Sequence, residues 1–228
     1  MVGDVYDFSI SPDSRRVIYL ADKDVDNQFD LYSVPITGGA SIKLSALSAG
    51  GDLDISSLGI RKSFAISPDS LRVVYVADQD TDETFELFSV SIIGGAVVKL
   101  SSLPTDGDVF EFSISPDSQR VVYVADQELD DVFHLYSVPL AGGIPRKLAA
   151  LPAHANVRSF TISLDSKEVV YAADQQVDAK FELFRVPIQG GDTTKLVALP
   201  AHANIELYYP RMSISPDGKY IVGGRQGR

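Results

Sequence analysis

The sequence predicts an all-β fold: a β-propeller of four-stranded antiparallel blades, four of them full and a fifth two-stranded and partial. Three observations predict it. A Ser-Pro-Asp-Ser/Gly motif recurs at Ser11–Ser14, Ser67–Ser70, Ser115–Ser118 and Ser215–Gly218, with a degenerate copy at Ser163–Ser166. The aspartates of successive copies lie 56, 48, 48 and 52 residues apart. Within each unit, short segments rich in β-branched and aromatic residues are separated by turn residues, and no sustained 3.6-residue apolar period suggests a helix. Repeats of this length built from meanders, each apolar on both faces, are the signature of a propeller.

Each unit divides into four strands, A to D. In strand A, Tyr6, Phe8 and Ile10 alternate with Asp7, Ser9 and Ser11, and Phe110, Phe112 and Ile114 repeat the pattern. Alternation assigns the large residues to one face and the small ones to the other. Strand B, as in Val73-Val74-Tyr75-Val76, is apolar on both faces and therefore reads as buried on both sides. Its tyrosines Tyr19, Tyr75, Tyr123 and Tyr171 are candidate core residues. Strand C is aromatic-led (Phe29, Phe85, Phe133, Phe181). Strand D is short and ends in Lys43-Leu44, Lys99-Leu100, Lys147-Leu148 or Lys195-Leu196, as suits an outer edge.

The turns follow from backbone chemistry. Proline presets φ in the A–B turn and holds the preceding serine extended. Leu164 replaces that proline in the fourth copy, so a looser turn is expected there. Glycine pairs such as Gly38-Gly39 supply the positive φ that a tight C–D turn demands. The blades are expected at about residues 1–56, 57–104, 105–152 and 153–204, with the partial fifth at 205–228.

The pattern Phe-Ser-Ile-Ser-Pro-Asp-Ser-x-x-Val-Val-Tyr-x-Ala-Asp of the third unit resembles the WD-like repeat of the TolB-type propeller, a bacterial repeat also found in propeller domains of prolyl oligopeptidase-like enzymes and in surface proteins. The resemblance spans nearly the whole chain, although the Trp-Asp dipeptide of true WD repeats is missing because the chain has no tryptophan. It implies blades with strand A innermost. It also implies partner binding on the face carrying the B–C hairpins and D–A connections, and a periplasmic or extracellular location. Fold resemblance of this kind says little about function.

Composition narrows the function classes. The net charge of −11 opposes nucleic-acid binding, which needs a positive field, and suits a cation or a basic protein partner. With no cysteine, thiolate catalysis and cysteine-ligated zinc are excluded. No apolar stretch approaches the length that inserts in a bilayer. No signal-peptide pattern opens the sequence as given. Neither a nucleophile elbow nor a phosphate loop is present, so no catalytic residue and no cofactor-binding residue is assigned.

Two constellations remain. Asp22, Asp24, Asp26 and Asp30, and likewise Asp78, Asp80 and Asp82, have alternate spacing in the B–C hairpins, with thinner versions at Asp126, Asp130 and Asp131 and at Asp174 and Asp178. Clustered oxygens attract hard cations such as Ca²⁺. A Ca²⁺-dependent rise in melting temperature would reveal such a site. The simpler reading is that the first aspartate caps the hairpin turn and the others are solvated. His154 and His202 occupy matching Leu-Pro-Ala-His-Ala-Asn connections, and two histidines with no third ligand are a weak metal signal. The expected partner-binding face therefore carries Asp80, Asp82, Asp130, Asp178, His154 and His202. The expected function is a non-catalytic scaffold for protein–protein interaction. The alternatives are the propeller domain of a larger hydrolase or a ligand- or cation-binding propeller. The unmatched first and fifth units further predict self-association through terminal blades, or else a strained ring.

Overall fold

The computed structural model describes residues 4–48, 51–53, 63–104, 107–149, 151–152 and 155–196, together with two short strands at 211–214 and 221–224. Among the described residues every regular element is a strand. The first sheet contains β1 (Val5–Ile10), β2 (Arg16–Val25), β3 (Gln28–Pro35) and β4 (Ile42–Lys43). The second contains β5 (Phe64–Ile66), β6 (Arg72–Ala77), β7 (Glu86–Ser91) and β8 (Val98–Lys99). The third contains β9 (Val109–Ile114), β10 (Arg120–Ala125), β11 (His134–Pro139) and β12 (Arg146–Lys147). The fourth contains β13 (Val157–Ile162), β14 (Glu168–Ala173), β15 (Glu182–Pro187) and β16 (Thr194–Lys195). The last is the two-stranded pair β17 (Arg211–Ile214) and β18 (Ile221–Gly224). Each four-stranded sheet is an antiparallel meander in sequence order, so A, B, C and D are hydrogen-bonded neighbours throughout.

Blades stack face to face. Ile18, Leu20, Leu31 and Leu44 of blade 1 pack against Phe64, Val73, Tyr75 and Phe88 of blade 2. Val74, Val76 and Leu87 meet Phe112, Tyr123 and Tyr136, and Val122, Val124 and Leu135 meet Phe160, Tyr171 and Phe184. In these pairs the leading face thus offers the large aromatics of strands A, B and C, and the trailing face is mainly aliphatic, with Phe29, Phe85 and Phe133 beside it. Within the leading face the B and C rings stack in register, as in Tyr123–Tyr136 at 5.3 Å and Tyr171–Phe184 at 5.6 Å.

Tyr75, Tyr123 and Tyr171 are fully buried, as expected of strand B. Tyr19 is only half-buried, because no described residue packs over the leading face of blade 1. There Phe8 is 66% and Ile10 51% exposed, whereas the corresponding Phe112 is 6% exposed.

Strand A departs from simple alternation. A register shift separates Val5 from Asp7 in β1, Val157 from Ser159 in β13, and a matching shift interrupts β9 beside Val124 and Ala125. The bulge turns Phe110 to the trailing side, where it meets Phe133 at 5.6 Å, while Phe112 and Ile114 stay on the leading side. Tyr6 behaves likewise, edge-on to Phe29. Period-2 reasoning placed Tyr6 with Phe8 and Phe110 with Phe112. The bulge overturns that, since one extra residue inverts every side chain beyond it.

The A–B turns are nearly identical. Ser11, Ser67, Ser115 and Ser163 each bond their turn aspartate at 2.6 Å, and Ser14, Ser70, Ser118 and Ser166 hold φ near 60°. The fourth copy is therefore not looser for having Leu164: the serine–aspartate bond sets the turn, and proline is dispensable. The fourth serine does more than turn the chain. Ser70, Ser118 and Ser166 accept the amides of Asp13, Asp69 and Asp117 in the preceding blade, each at 3.0 Å. The glycine pairs adopt the positive φ anticipated for them, for example 86° at Gly38.

Candidate functional site

A–B and C–D turns share one end of every blade, tied by Ile36, Ile92, Leu140 and Ile188 amides to carbonyls in the A–B turns. B–C hairpins and D–A connections share the other end. Asp80 and Pro68 thus sit at opposite ends of β6, roughly 20 Å apart for six extended residues.

At the hairpin end, the first aspartate of each hairpin is a staple. Asp22 accepts the amides of Asp4 (2.5 Å) and Asn27 (3.2 Å). Asp126 accepts those of Asp108 (2.6 Å) and Asp131 (3.3 Å), and Asp174 those of Asn156 (2.6 Å) and Ala179 (3.1 Å). Asp78 holds the amide of Asp52. Asn27, Asp131 and Ala179 all adopt positive φ, so the carboxylate fixes a tip conformation that non-glycine residues seldom take. The two amides hold the Asp22 carboxyl below its usual range, whereas burial between blades pushes Asp126 up.

The D–A residue that donates to this staple also reaches backwards. Asp52, Asp108 and Asn156 accept the amides of Phe29 (3.1 Å), Phe85 (3.2 Å) and Phe133 (2.9 Å) of the preceding blade. Leu53, Val109 and Val157 then donate to the carbonyls of those same phenylalanines. The result is a clasp joining strand C of one blade to the B–C hairpin of the next. The recurring triplets Gly51-Asp52-Leu53, Gly107-Asp108-Val109 and Ala155-Asn156-Val157 are its sequence signal.

The third hairpin residue and the strand C residue opposite the last alanine of strand B flank the strand D lysine. Lys43 pairs with Asp24 (3.7 Å) and Asp30 (2.5 Å). Lys99 meets Asp80 (3.2 Å) and Glu86, and Lys195 bonds Gln176 (2.7 Å) and Glu182 (2.7 Å). Lys195 holds the Glu182 carboxyl below its ordinary range. Blade 3 breaks the pattern: His134 takes the carboxylate's place and Lys147 turns to Glu128 at 2.8 Å. Sequence reading grouped Asp30 with Asp24 and Asp80 as hairpin acids and did not single out Glu86 or Glu182; that all three are buried partners of lysines about thirteen residues downstream escaped it, because only strand pairing brings them together.

What remains at the tips is a different set. Asp26, Asp82, Asp130 and Asp178 are exposed, with no ion pair or side-chain hydrogen bond among the described residues. They follow Val25, Thr81, Leu129 and Val177, of which Val25, Leu129 and Val177 are more than half exposed. The six aspartates predicted as cation ligands therefore divide three ways: Asp22 and Asp78 bind amides, Asp24 and Asp80 bind lysines, and Asp26 and Asp82 stand free. Among the described residues no three His, Asp or Glu side chains gather as a metal-ligand set. His154 and His202 lie outside the described residues, as does most of the long connection from Ser45 to Gly59.

No protein-family model and no curated protein matches the chain. Solved structures do. TolB from Acinetobacter baumannii is 14% identical with a TM-score of 0.53, over 96% of this chain and 48% of that one. Oligogalacturonate lyase from Vibrio parahaemolyticus is 13% identical with a TM-score of 0.61, over 97% of this chain and 58% of that one. Prolyl oligopeptidase B from Galerina marginata is 12% identical with a TM-score of 0.60, over 93% of this chain and 32% of that one. The chain spans about half the length of the TolB structure it matches. At such identities the likeness establishes architecture alone: this chain has a TolB-like β-propeller fold.

Proposed function

We propose that the chain is a non-catalytic scaffold that recognises a protein partner of basic character through the end bearing the B–C hairpins and D–A connections. One observation carries this reading. Four hairpins of one repeat place Asp26, Asp82, Asp130 and Asp178 at the same end of the molecule, unengaged and each preceded by an exposed Val25, Thr81, Leu129 or Val177. Of the other hairpin acids near them, Asp22, Asp78, Asp126 and Asp174 are tied to amides, and Asp24, Asp80 and Glu128 to lysines. Rigid strands carrying loops of variable charge are the usual substrate for recognition, and lone carboxylates beside apolar side chains suit lysine- or arginine-rich surfaces. The net charge of −11 favours encounter with such a partner. Asp80 contributes less than its sequence position implies, being paired with Lys99 at 3.2 Å. The resemblance to TolB-type repeats supports a periplasmic or extracellular setting.

The test is affinity capture with the parent chain and with a variant carrying Asp26→Lys, Asp82→Lys, Asp130→Lys and Asp178→Lys. The parent should capture a basic protein in a salt-sensitive manner. The variant should keep its melting temperature and lose that protein; equal recovery by both would sink the reading. A second reading, the propeller domain of an oligopeptidase-like hydrolase, draws on the likeness to prolyl oligopeptidase B, of which this chain matches 32%. A Gly-x-Ser-x-Gly-bearing α/β segment encoded in the same reading frame would favour it.

A further inference from the structure

Blade 3 differs from its sisters at one buried position. Asp30, Glu86 and Glu182 occupy the same position in strand C of blades 1, 2 and 4, each almost fully buried and each paired with the lysine of its own strand D. In blade 3 the residue is His134, 3% exposed. Neither ring nitrogen reaches a hydrogen-bond partner among the described residues. Glu128 lies 3.9 Å from Nδ1, already committed to Lys147 at 2.8 Å. Around the imidazole are Glu128 from the hairpin, Lys147 from β12, and the backbone oxygens of Pro152 and Ala155 in the D–A connection. Tyr136 of the same strand stands beside Glu128.

The position is mechanically sensitive. Phe133, the adjacent residue, carries both bonds of the clasp between blades 3 and 4: its amide donates to Asn156 and its carbonyl accepts from Val157. We propose that His134 makes this one joint acid-sensitive, so that its protonation loosens the connection at Ala155–Val157 from blade 3 while the joints between blades 1 and 2 and between blades 2 and 3 hold. A charge placed at this site is buried beside the ammonium of Lys147, in the spot where the other three blades carry the opposite sign. Burial first, and Lys147 second, hold the imidazole below its ordinary range, outweighing the attraction of Glu128 and of the two backbone oxygens.

The sign follows from linkage. A histidine with a lowered folded value leaves the closed joint intact above about pH 6.5, where the imidazole is neutral whether the joint is open or closed. Below that, the open form binds the proton and the closed form does not. Opening then rises by up to about tenfold per pH unit until the folded value is reached.

Amide hydrogen exchange of the full chain, followed by NMR from pH 7.5 to 5.0 and corrected for intrinsic rates, reads each joint separately. Val157 should open with falling pH while Val109, its counterpart between blades 2 and 3, should not. His134→Glu restores the sister residue and should abolish the pH dependence; His134→Gln should abolish it without restoring the pair. His154→Asn, removing the neighbouring histidine of the same connection, should leave it unchanged. The imidazole of His134 should titrate below the ordinary histidine range. The proposal is overturned if Val157 and Val109 respond in parallel, if His134→Gln keeps the response, if His154→Asn removes it, or if His134 titrates at 6.5 or above. Should His134→Glu fail to fold, the glutamine variant and the titration decide. Because this joint is internal, the outcome is independent of partner binding at the hairpin tips.

Discussion

Asp174 and Asp178 stand four residues apart in one hairpin, and the structure gives them opposite roles. Asp174 is almost fully buried and accepts two amides, from Asn156 at 2.6 Å and Ala179 at 3.1 Å. Asp178 is exposed and unengaged among the described residues. Replacing Asp174 with alanine strands both amides at the junction of blades 3 and 4. A hydrogen bond to a charged acceptor contributes about 1.5–3 kcal/mol, so two at the lower end cost about 3 kcal/mol. Asp178→Ala touches nothing and should stay within about 0.5 kcal/mol of the parent. Asp174→Asn keeps one acceptor oxygen and should fall between. Urea unfolding followed by far-ultraviolet circular dichroism measures this. With a slope of about 3 kcal/mol/M, Asp174→Ala should move the midpoint down by about 1 M while Asp178→Ala leaves it in place. Equal midpoints for the two alanine variants would refute the division of the hairpin acids into staples and free tips, and with it the basis for choosing the tip residues as the binding surface.

Two further outcomes follow from the packing. Tyr123→Ala, at a fully buried site between blades 2 and 3, should cost about 3 kcal/mol or more, and Tyr19→Ala, half-buried on the leading face of blade 1, distinctly less; similar losses in chemical denaturation would contradict the assigned faces. The isolated chain should self-associate through the exposed Val5, Phe8, Ile10 and Ile36, so light scattering should show mass rising with concentration for the parent and a monomer for a Phe8→Asp, Ile10→Asp variant; a parent that stays monomeric at every concentration would reject this.

Much of the architecture was legible before any coordinates because it depends on local chemistry. A serine–aspartate turn, a glycine pair at positive φ and a valine-rich strand are decided by neighbours a few residues away, and their recurrence announces the meander four times over. Hydrophobicity on both faces of strand B required a blade on either side, which is what surrounds Tyr75, Tyr123 and Tyr171. The hidden parts were those in which residues distant in sequence meet. Periodicity missed the bulge that turns Tyr6 and Phe110, because a bulge leaves composition unchanged and alters only register. Six aspartates in two hairpins look alike as text. Whether a carboxylate faces an amide, a lysine or water is set by the strand D that pairs alongside and by the D–A connection arriving from the previous blade. The sequence by itself determined the repeat, the strands and the end of the molecule where charge collects, since these rest on short-range preference and apolar pattern. Only the tertiary structure decided that Asp22 and Asp78 staple blades while Asp26 and Asp82 remain free, and that His134 occupies a carboxylate's seat, because burial and partnership are properties of the packed blades rather than of the chain.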